Sequence, residues 1–93
     1  MAAITQVSLQ LRRGSARVRA EGWLVLDHAW RVNGVRVVDN GSGRLLVSLP
    51  SRRDPSGRYV DLLHPVNQAA RDALNAAVLA KYHTLVGDDD AAP

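Results

Sequence analysis

Polar and apolar residues alternate from the start of the chain. Between Ile4 and Leu11, Thr5, Val7, Leu9 and Leu11 take one parity and Gln6, Ser8 and Gln10 the other, which predicts a half-buried strand. Arg12-Arg13-Gly14-Ser15 reads as a turn. From Ala16 to Leu26 the alternation resumes, with Ala16, Val18 and Ala20 against Arg17, Arg19 and Glu21. Past Gly22 it becomes Trp23-Leu24-Val25-Leu26, apolar on both parities, so Gly22 marks either a bulge or a close backbone approach. Asp27-His28 turns the chain into a third strand, Trp30 to Asp39, and Asn40-Gly41-Ser42-Gly43 is a hairpin signal. Leu45 to Leu49 forms a fourth strand, ended by Pro50, which has no N–H to give a ladder. Asp54-Pro55-Ser56-Gly57 has proline and glycine where a β-turn wants them, and Arg58 to Leu63 follows as a fifth strand, stopped by His64-Pro65.

Helical periodicity begins only after Asn67, a good N-cap. Ala70, Ala73, Leu74, Ala77, Val78 and Leu85 share one face, with Gln68, Arg71, Asp72 and Asn75 on the other. The expected fold class is α+β: a five-stranded antiparallel meander followed by one C-terminal helix. Residues 1–87 form one domain, and residues 88–93 read as an acidic disordered tail. One helix covers part of one sheet face. Yet Trp23 to Leu26 and Val35 to Val38 are apolar on both parities. That pattern, with two open sheet edges, predicts a homodimer through the sheet; cover by loops and the amino-terminal segment is the competing solution.

Composition narrows the picture. With 93 residues, the core must be aliphatic: there are twelve valines and twelve leucines, but no phenylalanine, two tryptophans and two tyrosines. No cysteine is present, which removes disulfides and thiolate metal sites. No apolar run is long enough for a membrane span and no leader pattern opens the chain, so a soluble cytoplasmic protein is expected. The net charge of +3 conceals a basic body, because three of the nine acids are Asp88-Asp89-Asp90. Eleven of the twelve bases are arginine, which suits phosphate forks, although GC-rich coding also favours arginine.

Catalysis finds no support in this pattern. Ser51, Asp61 and His64 lack a nucleophile elbow and an oxyanion arrangement, and His64 reads as a strand-end residue bonded to local backbone. His28, His64 and His83 have no ligand-like spacing, and no glycine loop cradles a phosphate. The chain is expected to be no enzyme, with no cofactor, no metal and no small-molecule substrate. The arginines carry the functional argument instead. Arg52 and Arg53 precede the Asp54–Gly57 turn in a loop, and Arg71 sits in the first turn of the helix, where the dipole disfavours a cation. Three arginines near one helix start point to a phosphate site, against the simpler reading that Arg71 pairs with Asp72 or Asp61. Base recognition would fall to Arg71, Gln68 or Asn75 on the exposed helix face.

The stretch Pro50-Ser51-Arg52-Arg53-Asp54-Pro55-Ser56-Gly57, then Asp61 and His64-Pro65-Val66-Asn67, closely resembles the P-S-K-R-T-P-D-G…D-I-A-H-P-I-N signature of the stage V sporulation protein G (SpoVG) family of bacterial septation regulators. The resemblance runs from about residue 7 to residue 82. It implies a dimeric regulator that binds DNA and/or RNA. By the same resemblance, Arg52 and Arg53 stand at the family's Lys-Arg pair, Arg36 at its strand-three arginine and Arg71 at its helix arginine. Asn33-Gly34 departs from the family's His-Asp, and Val60 from its arginine. Trp30 and Tyr59 stand at phenylalanine positions and read as core. The alternative function is a dimeric protein-interaction module in division control, with Leu79 and Leu85-Val86 as its contacts.

Overall fold

A computed structural model of the chain describes residues 3–14 and 17–91, the last four of these by backbone alone. Strands β1 (Ile4–Leu11), β2 (Val18–Leu26), β3 (Trp30–Asp39) and β4 (Leu45–Ser48) form an antiparallel sheet in the order β1-β2-β3-β4. β1 has the bounds its alternation predicts, and β3 those its flanking turns predict. The expected start of β2 at Ala16 lies outside the described residues.

Local chemistry accounts for the turns. Asp27 and His28 both take positive φ, 52° and 55°, and Ala29 N donates to Leu26 O across them at 2.9 Å. Positive φ at both central residues is what a type I′ hairpin turn requires, and Asp and His tolerate it better than most side chains. Gly22 proves to be a close approach: a Cβ there would fall inside the Ser8 carbonyl oxygen of β1. Gly34, at φ 81°, sits at the register shift of β3 and lets Val32 and Val35 face the same way.

The fifth strand departs from expectation. Instead of extending the sheet, Tyr59–Asp61 (β6) pairs with a short strand Ser51–Arg53 (β5), giving a separate two-stranded ribbon. Pro50 ends β4's ladder, and the Asp54–Gly57 turn then folds the chain back on itself, so β6 finds β5 first. The expected loop holding Arg52 and Arg53 is therefore one arm of a hairpin.

Helix α1 (Gln68–Ala91) packs on one face of the sheet, over β1, β4 and β3. Leu74 and Val78 meet Leu9, Ala20, Leu24, Val35 and Val37 in a wholly aliphatic core, flanked by Leu79, Tyr82 and Leu85. The buried helix stripe is thus rotated from the one the alanines suggested. Ala70 and Ala73 are exposed, and with Ala77 they line an open cleft of about 490 Å³ facing Ile4 and Leu26. The backbone stays helical past Gly87 to Ala91, where a tail was expected; residues 92–93 lie outside the described residues. No helix among the described residues is long and apolar enough to cross a membrane.

Candidate nucleic-acid interface

The β5–β6 ribbon is a tightly closed hairpin. Asp54 N donates to Arg58 O at 2.8 Å and Gly57 N to Asp54 O at 3.0 Å, with Gly57 at φ 87°. These bonds form a three-residue loop with a glycine in the left-handed position. The Asp54 carboxylate locks it, with Oδ1 accepting from Ser56 N at 2.9 Å, Ser56 Oγ at 2.7 Å and Arg58 N at 3.0 Å. The Ser56 hydroxyl and the Arg58 amide hold this carboxyl below its ordinary value.

Arg52 and Arg53 are consecutive in β5, so they point to opposite faces of the ribbon. Arg53 lies over the Tyr59 ring, 5.3 Å from its centroid, across a direct strand pair. Arg52 faces Val60 and makes no ion pair among the described residues. Arg58, on the return arm, adds a third exposed guanidinium that sequence reasoning missed, although its place beside the turn was a usable signal. Tyr59 is 72% exposed and Trp30 70%, so neither is a core residue. The ribbon packs mainly on itself, and Trp30 opens β3 at the sheet end, beside the Asp27-His28 turn.

Arg71 lies elsewhere. Asn67 caps the helix, its Oδ1 accepting from Ala70 N at 2.8 Å, and its carbonyl accepts from Arg71 N at 3.2 Å. The first turn contains no acid. Arg71 borders a cleft of about 340 Å³ with Ser48, Asp61, His64 and Leu74, but neither Arg52 nor Arg53 reaches that lining. No ion pair of Arg71 with Asp61 or Asp72 forms among the described residues. Asp72 instead accepts from Gln68 Nε2 at 2.7 Å, which occupies one of the expected base readers, and Asn75 is half-buried. His64 Nδ1 bonds the Pro65 carbonyl at 3.1 Å, the local backbone contact its position suggested.

Arg36 projects from the sheet face opposite the helix, because it alternates with the fully buried Val35 and Val37. The expected single cluster therefore separates into a ribbon group, a helix-start arginine and a sheet-face arginine. Arg12–Glu21 and Arg19–Asp39 (3.0 Å) are internally neutralised ion pairs. The expected protein contacts also move, since Leu79 and Leu85 pack beside the core. Among the described residues, the large exposed aliphatic side chains are instead Leu46, Val60, Leu62, Leu63 and Val66, four of them in the stretch from β6 to the helix start.

Comparison with known proteins agrees with the signature on this ribbon. The SpoVG family model matches residues 2–84. Proteins named "Putative septation protein SpoVG" from Bacillus velezensis and Bacillus subtilis are each 40% identical over 88 residues, covering 95% of this chain and 89% of theirs. A Bacillus cereus protein of the same name is 39% identical over 82 residues, covering 88% of this chain and 84% of its own. With the ribbon, the cap and most of the helix inside the matched region, the chain belongs to the SpoVG family.

Proposed function

We propose that this chain is a nucleic-acid-binding regulator of the septation type, gripping DNA or RNA phosphates through the arginines of the β5–β6 ribbon. The observation that carries this reading is a rigid hairpin presenting Arg52, Arg53 and Arg58 outward while its turn carboxylate, Asp54, is occupied by three donors. Guanidinium groups without carboxylate partners release counterions when they meet phosphate, which supplies affinity without sequence choice. Arg71, in a first helical turn that contains no acid, offers a further phosphate contact on the helix side, and Gln68 and Asn75 stand beside it for base edges. A second copy would double the grip. The open edge of β4, with the exposed Leu46, Leu62, Leu63 and Val66, favours a homodimer on that side. Light scattering at micromolar concentration should give twice the 10.1 kDa chain mass, and a monomer would remove the dimer.

The same apolar residues favour a second reading, a dimeric protein-interaction module that does not touch nucleic acid. A gel shift across salt with duplex DNA, single-stranded DNA and RNA separates the two. Replacing Arg52 and Arg53 together by alanine should weaken binding to any sequence and reduce the salt slope by about two units. Unchanged affinity and slope would take the ribbon out of the interface.

A further inference from the structure

Helix α1 covers part of one face of the four-stranded sheet, and no described element packs on the other. That open face is chemically uneven. The end where β2 begins and β3 finishes is polar and neutralised, with Glu21 held by Arg12 and Asp39 by Arg19. Towards the other end come Trp23 and Arg31, on parities opposite to the inward Leu24 and Val32. The Arg31 guanidinium lies 4.3 Å from the Trp23 ring centroid, and its Nε donates to Asn33 Oδ1 at 2.8 Å. Farther along β3 comes Arg36, whose cross-strand neighbour Glu21 is already taken by Arg12.

We infer that this open face is a seat for single-stranded nucleic acid, with the stacked Arg31–Trp23 pair as its base platform and Arg36 as a phosphate contact. The inference deepens the nucleic-acid reading above and rests on it. The Arg31 guanidinium sits over the Trp23 ring and is exposed on its outer side, where a base can be added to the pile. An unpaired base stacks on such a plane irrespective of its identity. In a duplex the base faces are buried in the helical stack, so duplex cannot use this platform. The charge is complementary: once the two ion pairs are set aside, Arg31 and Arg36 remain as positive groups with no ion pair among the described residues, and the Glu21 across from Arg36 is held by Arg12. The face also leads to the ribbon. Arg36 pairs with Ser48, two residues before Pro50, and Gly34 lies beside Pro50, with a built Cβ 3.4 Å from the Pro50 Cβ. A strand crossing from the platform past Arg36 therefore arrives at the base of the ribbon arginines. A dimer joined at the β4 edge would extend this face and leave it open.

The protein has two tryptophans, so Trp30→Phe, at an exposed position, leaves Trp23 as the sole indole reporter. This variant is titrated with a dye-labelled 15-nucleotide oligo-dT and with a hairpin duplex of equal phosphate count, following dye anisotropy and Trp23 emission together. The expected result is saturable quenching of Trp23 by oligo-dT at the anisotropy midpoint, and no quenching by duplex. Arg31→Ala should weaken oligo-dT binding about tenfold and leave duplex binding unchanged, whereas the Arg52→Ala, Arg53→Ala variant weakens both. Oligo-dT binding with unchanged Trp23 emission, equal quenching by duplex, or an inert Arg31→Ala would each overturn the sheet-face seat while leaving the ribbon reading intact. No binding of either probe would overturn both.

Discussion

Gly22→Ala tests how closely β1 and β2 are joined at the centre of the sheet. Gly22 pairs with Leu9, and a Cβ there would collide with the Ser8 carbonyl oxygen and come within 2.9 Å of its carbon and 3.0 Å of the Leu9 Cα. All three atoms are backbone, so no rotamer change relieves the clash. The strands must part locally by roughly 1 Å, which strains the neighbouring ladder bonds and draws the buried Leu9 away from Ala20 and Leu24. Losing one or two such bonds and part of that packing costs about 2–4 kcal/mol. A domain of this size has a total stability of about 5–14 kcal/mol, so the substitution removes a large share of it.

Urea denaturation followed by far-UV circular dichroism measures this directly, and the melting temperature should fall by about 10–25 °C. Gly57→Ala is the matched control. Gly57 has φ 87° but nothing within 4 Å of a built Cβ, so it meets conformational strain without collision and should lose only about 1 kcal/mol. A Gly22→Ala protein within 0.5 kcal/mol of the parent, on the roughly 1 kcal/mol scale of ordinary substitutions, would refute the close approach. So would a Gly57→Ala protein that loses more than Gly22→Ala.

Two further outcomes follow from the same geometry. Asn67→Ala removes the acceptor for Ala70 N and should destabilise the fold by about 1 kcal/mol, with Asn67→Ser keeping most of it, as read from urea midpoints. The pH dependence has a defined sign: Asp39, bonded by Gly41 N and Arg19, and Asp54, bonded by Ser56 and Arg58 N, both have carboxyls lowered from 3.8. The folded chain holds these protons less tightly than the unfolded one, so their contribution is complete above that value and lost as pH falls through and below it. Urea midpoints should be flat from pH 7 to 5 on this account and drop below about pH 4; a drop that begins near pH 6 would point to another group.

Much of the fold was legible because local rules govern it. Alternation marked β1, the Asp27-His28 and Asn40–Gly43 turns bounded β3, and Asn67 before a periodic run marked a cap. Pairing partners were not legible. The β6 residues look alike whether they join the main sheet or their own hairpin, and Pro50 together with the Asp54 turn decided for the hairpin. Burial failed where it depended on what lay opposite. Tyr59 and Trp30 are large and apolar, but neither has a layer over it, and the helix alanines are too short to reach the sheet that Leu74 and Val78 fill. Nearness in sequence drew Arg71 towards Arg52 and Arg53, whereas in the fold Arg71 borders a cleft that neither of them lines.

That separation bears on how the molecule works. Among the described residues, seven buried aliphatic side chains, five from the sheet and two from the helix, hold the body together, and the ribbon contributes none of them. Its turn is nevertheless secured by a carboxylate with three donors and a glycine at positive φ, and its one side-chain stack, Arg53 on Tyr59, lies in solvent. Rigidity in an element that adds nothing to the core reduces the entropy lost when its side chains meet a ligand. On the sheet face Arg31 is likewise fixed by Trp23 and Asn33 before any partner arrives. Both surfaces thus offer guanidinium groups already oriented, on supports whose removal would leave the aliphatic core unchanged, which is the arrangement expected of a binding surface and not of a stabilising one.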